Sequence, residues 1–240
     1  AATLGLHASG SLSGSDIPSP DSSLDGKLTF EGKRLTPLFK AINNDQLANT
    51  LKSLALNTSI TGQSGTFRLA PLNLTAAIVP PGKSKKPETV KFSADTAVNL
   101  DKQHLTIKGL DLKMLGAHIT GSADLNQFIS PTPLAKGKFT AKGPNLPHIM
   151  QVAGSFLPDS SNPLALYGRQ LAKTPEKAFD FNLDFDIDMA KGVIKVPAFK
   201  AATLGLHASG SLSGSDIQGP NSSLDGTLAF EGRKLTPLFK

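Results

Sequence analysis

Residues 179–189 read Phe-Asp-Phe-Asn-Leu-Asp-Phe-Asp-Ile-Asp-Met. Apolar and polar residues alternate without a break, so Phe179, Phe181, Leu183, Phe185, Ile187 and Met189 share one side while aspartate and asparagine take the other. A 3.6-residue helical period would mix these two sets, whereas a period of two separates them, which is the pattern of a half-buried strand. Covering the apolar side contributes roughly 1.5–3 kcal/mol per large side chain. The acidic side has to meet water, because an unpaired carboxylate is far costlier to bury. Ala190-Lys191-Gly192 then predicts a hairpin turn into a second strand carrying Ile194, Val196 and Ala198.

The same arrangement recurs earlier in the chain. Residues 92–115, 181–204 and, less clearly, 56–79 each give an alternating strand, a short polar turn, a second alternating strand and a third short apolar one. In the copy at 92–115, Phe92, Ala94, Thr96, Val98 and Leu100 precede a turn at Asp101-Lys102-Gln103, and Leu105 and Ile107 return. The alternation then changes phase to Leu110, Leu112 and Met114, with Gly109 at the break, as expected for a bulge or a bend between two strands.

A second repeated block follows the copies at 92–115 and 181–204 and also opens the chain. Residues 1–40 and 201–240 align without a gap and differ at seven positions: Pro18/Gln218, Ser19/Gly219, Asp21/Asn221, Lys27/Thr227, Thr29/Ala229, Lys33/Arg233 and Arg34/Lys234. The differences fall in loops and on one side of a strand. Leu28 and Phe30 on the other side reappear unchanged as Leu228 and Phe230. A more divergent third copy lies between, where Leu115-Gly116-Ala117-His118-Ile119-Thr120-Gly121-Ser122 matches the run from Leu4 to Ser11, and Gly137-Lys138-Phe139 matches Gly26-Lys27-Leu28. The small residues of these strands predict a sheet that curves tightly over its small-residue side.

Helices are short and few. Thr36 is expected to cap, and Pro37 to open, a helix carrying Leu38, Phe39 and Ile42 that continues from Asp45 through Leu47, Leu51 and Leu54. Asn162 and Pro163 are expected to start another through Leu164, Tyr167 and Leu171. The run Pro80-Pro81-Gly82-Lys83-Ser84-Lys85-Lys86-Pro87 reads as a solvated loop. The expected organisation is a first repeat unit at 1–80, a polar Pro/Lys loop at 81–89, a second unit with short helices at 90–178 and a third unit at 179–240.

Composition fits a β-dominated chain. Among 240 residues there are 22 glycines and 17 prolines, and 13 phenylalanines stand against one tyrosine and no tryptophan, giving apolar bulk without polar handles. The net charge of +6 allows attraction to anionic headgroups. No Arg-aromatic cluster supports nucleic-acid binding, and the absence of cysteine removes disulfides and thiolate chemistry. There is no run of 18 apolar residues and no signal-peptide pattern. The chain starts within strand-like sequence at Ala1 and stops at Lys240 just inside a helix signal, so it reads as a piece of a longer protein.

Sites for chemistry are few. His7, His118 and His207 are one repeat position seen three times, which suits structural or solvent-facing use better than catalysis; His104 and His148 have no metal-ligand spacing around them. Asp180, Asp184, Asp186 and Asp188 occupy one strand face and lack the spacing of a calcium loop. No catalytic or metal-ligating residue and no cofactor is therefore expected.

The series from Leu110 to Leu125, Leu-Asp-Leu-Lys-Met-Leu-Gly-Ala-His-Ile-Thr-Gly-Ser-Ala-Asp-Leu, is followed by Pro133-Leu134-Ala135-Lys136-Gly137-Lys138-Phe139 and a proline-associated short helix. Together with Asn162-Pro163-Leu164-Ala165-Leu166 ahead of the Phe-Asp-Phe-Asn-Leu strand, it resembles the AsmA-like family of bacterial envelope proteins, which is related to TamB and to the repeating β-groove lipid transfer proteins. The resemblance implies a periplasmic protein, held at the inner membrane by a segment outside this chain, that works in outer-membrane assembly. It implies a long curved sheet with an apolar groove for phospholipid acyl chains and no catalytic residues. The candidate groove residues are Leu28, Phe30, Phe92, Val98, Ile107, Phe179, Phe181, Leu183, Phe185, Ile187, Leu228 and Phe230. The alternative expectation is a structural or protein-binding β scaffold of the envelope that recruits partners through exposed strand edges. A closed sandwich or sheet-helix core would use the same apolar residues without any ligand.

Overall fold

A computed structural model of the chain describes residues 5–15, 23–63, 65–79, 86–155, 163–217, 219 and 221–232. The protein is β-dominated, with antiparallel strand pairs and four short helices among the described residues. It divides into two compact units, residues 1–101 with 105–115, and residues 102–104 with 116–240. The first holds β1 (Leu6–Ser15), β2 (Ser23–Gly32), α1 (Thr36–Ala41), α2 (Asp45–Thr50), β3 (Leu51–Gln63), β4 (Thr66–Ile78), β5 (Glu88–Asn99) and most of β6 (His104–Met114). The second holds β7 (Ala117–Asn126), β8 (Leu134–Gly143), α3 (Leu146–Ser155), α4 (Pro163–Leu171), β9 (Phe179–Asp188), β10 (Val193–Thr203), β11 (Leu206–Ser215) and β12 (Ser223–Gly232). Within each unit the strands lie side by side in chain order.

The hairpins expected from alternation are present, with their turns where glycine or a polar residue takes positive φ: Gln103 at 48° and Gly192 at 62°. The returning strands are single and bulged rather than broken in two. Gly109 sits inside β6 at φ 57°. In β10, the two residues between Lys195 and Ala198 oppose the single residue between Asp186 and Asp184 on β9. In β4, Leu69 to Leu72 oppose Thr96 to Ala94 of β5 in the same way. Pro71 and Pro197 lie within these two bulges, where a missing N–H costs least. The extra residue in β10 overturns one expectation. Ala198 pairs with Asp184 on the acidic side, and Phe199 takes its place beside Leu183 on the apolar side.

Helix expectations need two further corrections. Leu35, not Thr36, precedes α1, and no side chain caps that helix; the Thr36 hydroxyl instead donates to the Ala48 carbonyl at 3.0 Å. The next helix stops at Thr50, so Leu51 and Leu54 belong to β3. Its cap is Asn44, whose side-chain oxygen accepts from the Leu47 N–H at 3.0 Å. In the middle copy the same device opens α3, where Asn145 Oδ1 accepts from the His148 N–H at 3.1 Å. Asn162, the expected cap of α4, lies outside the described residues, as do residues 80–85 of the polar loop. That loop joins two strands that pair with each other, since Glu88 and Thr89 already oppose Ile78 and Ala77.

The buried residues of the first unit include Leu35, Ala48, Ala76 and Ala94, with Thr58 among them. In the second unit they include Ala117, Pro147, Val152 and Phe179. Helices α3 and α4 cross at Gly168, where an added Cβ would lie 2.9 Å from the Pro147 carbonyl oxygen, and the Gln151 amide donates to the Gly168 carbonyl at 2.9 Å. Within either unit, the described strands that pack extensively are hydrogen-bonded neighbours, and no second sheet closes over the first as in a sandwich.

Candidate functional site

Register places side chains of the second unit in rows that run across the strands. One row is Ile119, Ala141, Phe181, Ala201, Ala208 and Phe230; the next is Gly121, Phe139, Leu183, Phe199, Gly210 and Leu228. A third contains Leu125, Ala135, Ile187, Ile194, Gly214 and Leu224. Every member is apolar or glycine, so the apolar side of β9 continues across its neighbours as one face.

Large and small residues interlock within that face. Phe185 stacks on Phe139 with ring centres 5.8 Å apart and planes 6° from parallel. A Cβ on Gly137 would come within 2.8 Å of the Phe185 ring, and one on Gly121 would meet Phe139. The glycines thus provide the hollows in which aromatic rings lie flat.

Burial grades along the face. Phe179 is 6% exposed and lies over Gly143, with its ring 5.3 Å from that of Phe181. Further along the same strand Leu183 is 38% exposed, and on β12 Leu228 and Phe230 reach 59% and 69%. Phe181, Phe185 and Ile187 are half-buried. Two apolar depressions lie on this face. One of about 340 Å³ is lined by Phe181, Leu183, Val196, Phe199, Ala201 and Leu212, together with Asn182 and Lys200. The other, about 410 Å³, is lined by Phe199, Leu212, Leu224, Gly226 and Leu228 among others.

The first unit builds an analogous face. Ala8, Phe30, Leu56, Leu74 and Phe92 form one row, and Gly14, Leu24, Gly62, Phe67 and Val98 another. Phe30, Phe92 and Val98 are half-buried there, Leu28 is exposed, and Ile107 is half-buried on β6. The candidate residues on β2, β5, β9 and β12 therefore collect on one face within each unit, except Phe179, which is enclosed in the core. Alternation within single strands misses Phe139, Phe199, Leu212 and Leu224, although the matches of Phe139 to Leu28 and of residues 201–240 to 1–40 carry the signal for all but Phe199.

The opposite side of β9 is a charge ladder. Asp186 pairs with Lys136 and Lys195, Asp184 with Lys138, Asp180 with Lys142, and Asn182 with Lys200. Lys138 Nζ reaches Asp184 Oδ2 at 3.0 Å, in an exposed geometry worth at most about 1 kcal/mol. At the turn, Asp188 accepts from Lys191 Nζ at 3.1 Å and from the Lys191 N–H at 3.0 Å. The side-chain bond to Lys191 is the main cause of a carboxyl pKa below its ordinary value. His118 and His207 fall on this polar side, opposite Lys142 and Glu231, and in the first unit His7 lies opposite Glu31. His104 contacts Asp124 at 3.3 Å.

Comparison with protein-family profiles, with curated proteins and with solved structures finds no match. No helix among the described residues is long and apolar enough to cross a membrane.

Proposed function

We propose that the chain handles phospholipid non-enzymatically in the bacterial envelope, in the periplasm beside the inner membrane, and so supports outer-membrane assembly. The observation that carries this reading is the open apolar face of β9–β12, where Leu183, Leu212, Leu228 and Phe230 stay exposed although each belongs to a continuous apolar row. Contiguous apolar surface of this kind marks a binding face more often than an ordinary exterior. The two depressions fall at the lower end of the 300–1,000 Å³ range of ligand sites. The envelope location and the outer-membrane role rest on the resemblance to AsmA-like proteins.

Acyl chains would lie across the phenylalanine and leucine rows, each buried CH₂ contributing about 0.8 kcal/mol. Because the rows repeat similar side chains, neighbouring positions bind a methylene with similar energy, and an acyl chain meets low barriers to sliding. Headgroups would stay at the edge of the face, in water or near the Lys-bearing side.

A photo-crosslinking residue at Leu183, compared with one at Asp184, tests the proposal on a single strand with only the side-chain direction changed. Lipid captured from position 183 and not from 184, together with lipid released from the purified chain in native mass spectrometry, is the expected result. Equal capture from both positions, or none from either, would refute it.

A further inference from the structure

The two depressions on the apolar face of the second unit share a wall. Phe199 and Leu212 line both, the one of about 340 Å³ on the side of β9 and the one of about 410 Å³ on the side of β12. Phe199 stands on β10 between Leu183 of β9 and Gly210 of β11. Its ring leans over that glycine, for a Cβ on Gly210 would lie 3.1 Å from Phe199 Cε1. Leu212, paired with Val196 of β10 and Gly226 of β12, leans the same way: a Cβ on Gly226 would lie 3.3 Å from Leu212 Cδ1. Each side chain thus fills the glycine hollow of the next strand, and the two together form a ridge with a depression on either side.

The ridge is a product of the bulge in β10. Unbroken alternation would turn Ala198 to the apolar side, and the extra residue puts Phe199 there instead. With a methyl group in place of that ring, the two depressions would run together. Singly, each lies near the foot of the 300–1,000 Å³ range of ligand sites, and joined they would lie near its middle. Their floors are about two strand spacings apart, roughly 10 Å. Both open on the face of the sheet, so a further strand paired along the outer edge of β12 would leave them in place.

Two apolar hollows with a common wall suit a ligand with two apolar branches. We infer that Phe199 is a positioning residue that parts the two acyl chains of one diacyl phospholipid, seating one against Phe181 and Leu183 and the other against Leu224 and Leu228. This rests on the lipid handling proposed above, and adds how the lipid is held. The ester branches of a glycerol diverge freely enough to straddle a ridge, and each chain then buries its methylenes against two walls rather than one. A lipid with a single acyl chain fills one hollow and leaves the other to water.

The probe is phosphatidylethanolamine carrying a photoreactive diazirine in each acyl chain, supplied to the whole chain in detergent micelles. Irradiation, proteolysis and mass spectrometry then locate both ends of every linked lipid. One lipid joined at once to a β9–β10 peptide and a β11–β12 peptide is the expected product. In Phe199→Ala the doubly joined product should fall by about fivefold or more while the total label on the apolar face persists; Phe199→Leu should restore part of it. Phe199 is half-buried on an open face, so the fold, checked by circular dichroism, should survive both substitutions. Label confined to one hollow of the unsubstituted chain, an unchanged doubly joined yield in Phe199→Ala, or a total label that falls in step with it would overturn the inference and leave lipid handling standing. No label anywhere on the apolar face would overturn both.

Discussion

Gly137→Ala isolates the competition that shapes the apolar face. Replacing a strand glycine that does not need positive φ recovers about 0.5–1 kcal/mol of backbone entropy, and a buried methyl adds about 0.8 kcal/mol. Against this, the new Cβ would lie 2.7 Å from the Ser122 carbonyl oxygen on β7 and 2.8 Å from the Phe185 ring on β9. The first obstacle is backbone and cannot swing aside. Yielding by Phe185 opens its stack on Phe139, a contact worth about 0.5–1.5 kcal/mol beyond burial. Overpacking at a tight site costs typically 1–3 kcal/mol, and because a backbone oxygen and a stacked ring both resist, the upper part of that range applies. The net expectation is destabilisation by about 1–2 kcal/mol. Native-state hydrogen exchange of β7, β8 and β9, read by mass spectrometry, should show a 5- to 30-fold loss of protection, since a kcal/mol or two corresponds to that factor. Adding Phe185→Leu should restore part of the loss, with a coupling of at least about 0.5 kcal/mol. Unchanged or increased protection in Gly137→Ala would refute the account of rings seated in glycine hollows.

Two further outcomes test local chemistry. The bonds from Lys191 hold the Asp188 carboxyl below its ordinary pKa of 3.8, so the contact stabilises the folded turn above that pH and is lost as pH falls through the lower folded value; an NMR titration should place its midpoint below 3.8, and Lys191→Met should raise it. Asn44→Ala removes the side-chain oxygen that caps α2 and should cost about 1 kcal/mol, read as faster amide exchange at Leu47 and its neighbours.

The sequence made the strands easy to recognise and the helix ends hard. At 179–188 the apolar and acidic sets separate at every residue, and no other regular structure accommodates that. Around Leu47, Leu51 and Leu54, spacings of four and three also fit a helix. The strand reading requires Leu54, Leu56, Thr58 and Ile60 to be taken together, and it is settled by pairing with β2 and β4, which no local pattern reports. The bulge at Pro197 was hidden for a similar reason: Ala198 continues the alternation acceptably, and only the register against Asp184 reveals that Phe199 has taken over the apolar side. Of the candidate face, most members were legible because they sit on strongly alternating strands. Phe179 was legible as apolar but not as core, since its enclosure depends on Gly143 and the neighbouring Ala117.

Pairing in chain order has a consequence for how the protein is made. Within each unit a strand finds its partner nearby in the chain, and the widest gap in the second unit is that between Leu134 and Asp188, a separation of 188 − 134 = 54 residues spanning α3 and α4. Short separations favour rapid folding, and closure entropy rises by only about 0.6 kcal/mol for each doubling of a loop. A chain emerging end first from a ribosome or a secretion pore can therefore zip each hairpin onto the last, with the docking of β9 on β8 as its slowest stitch.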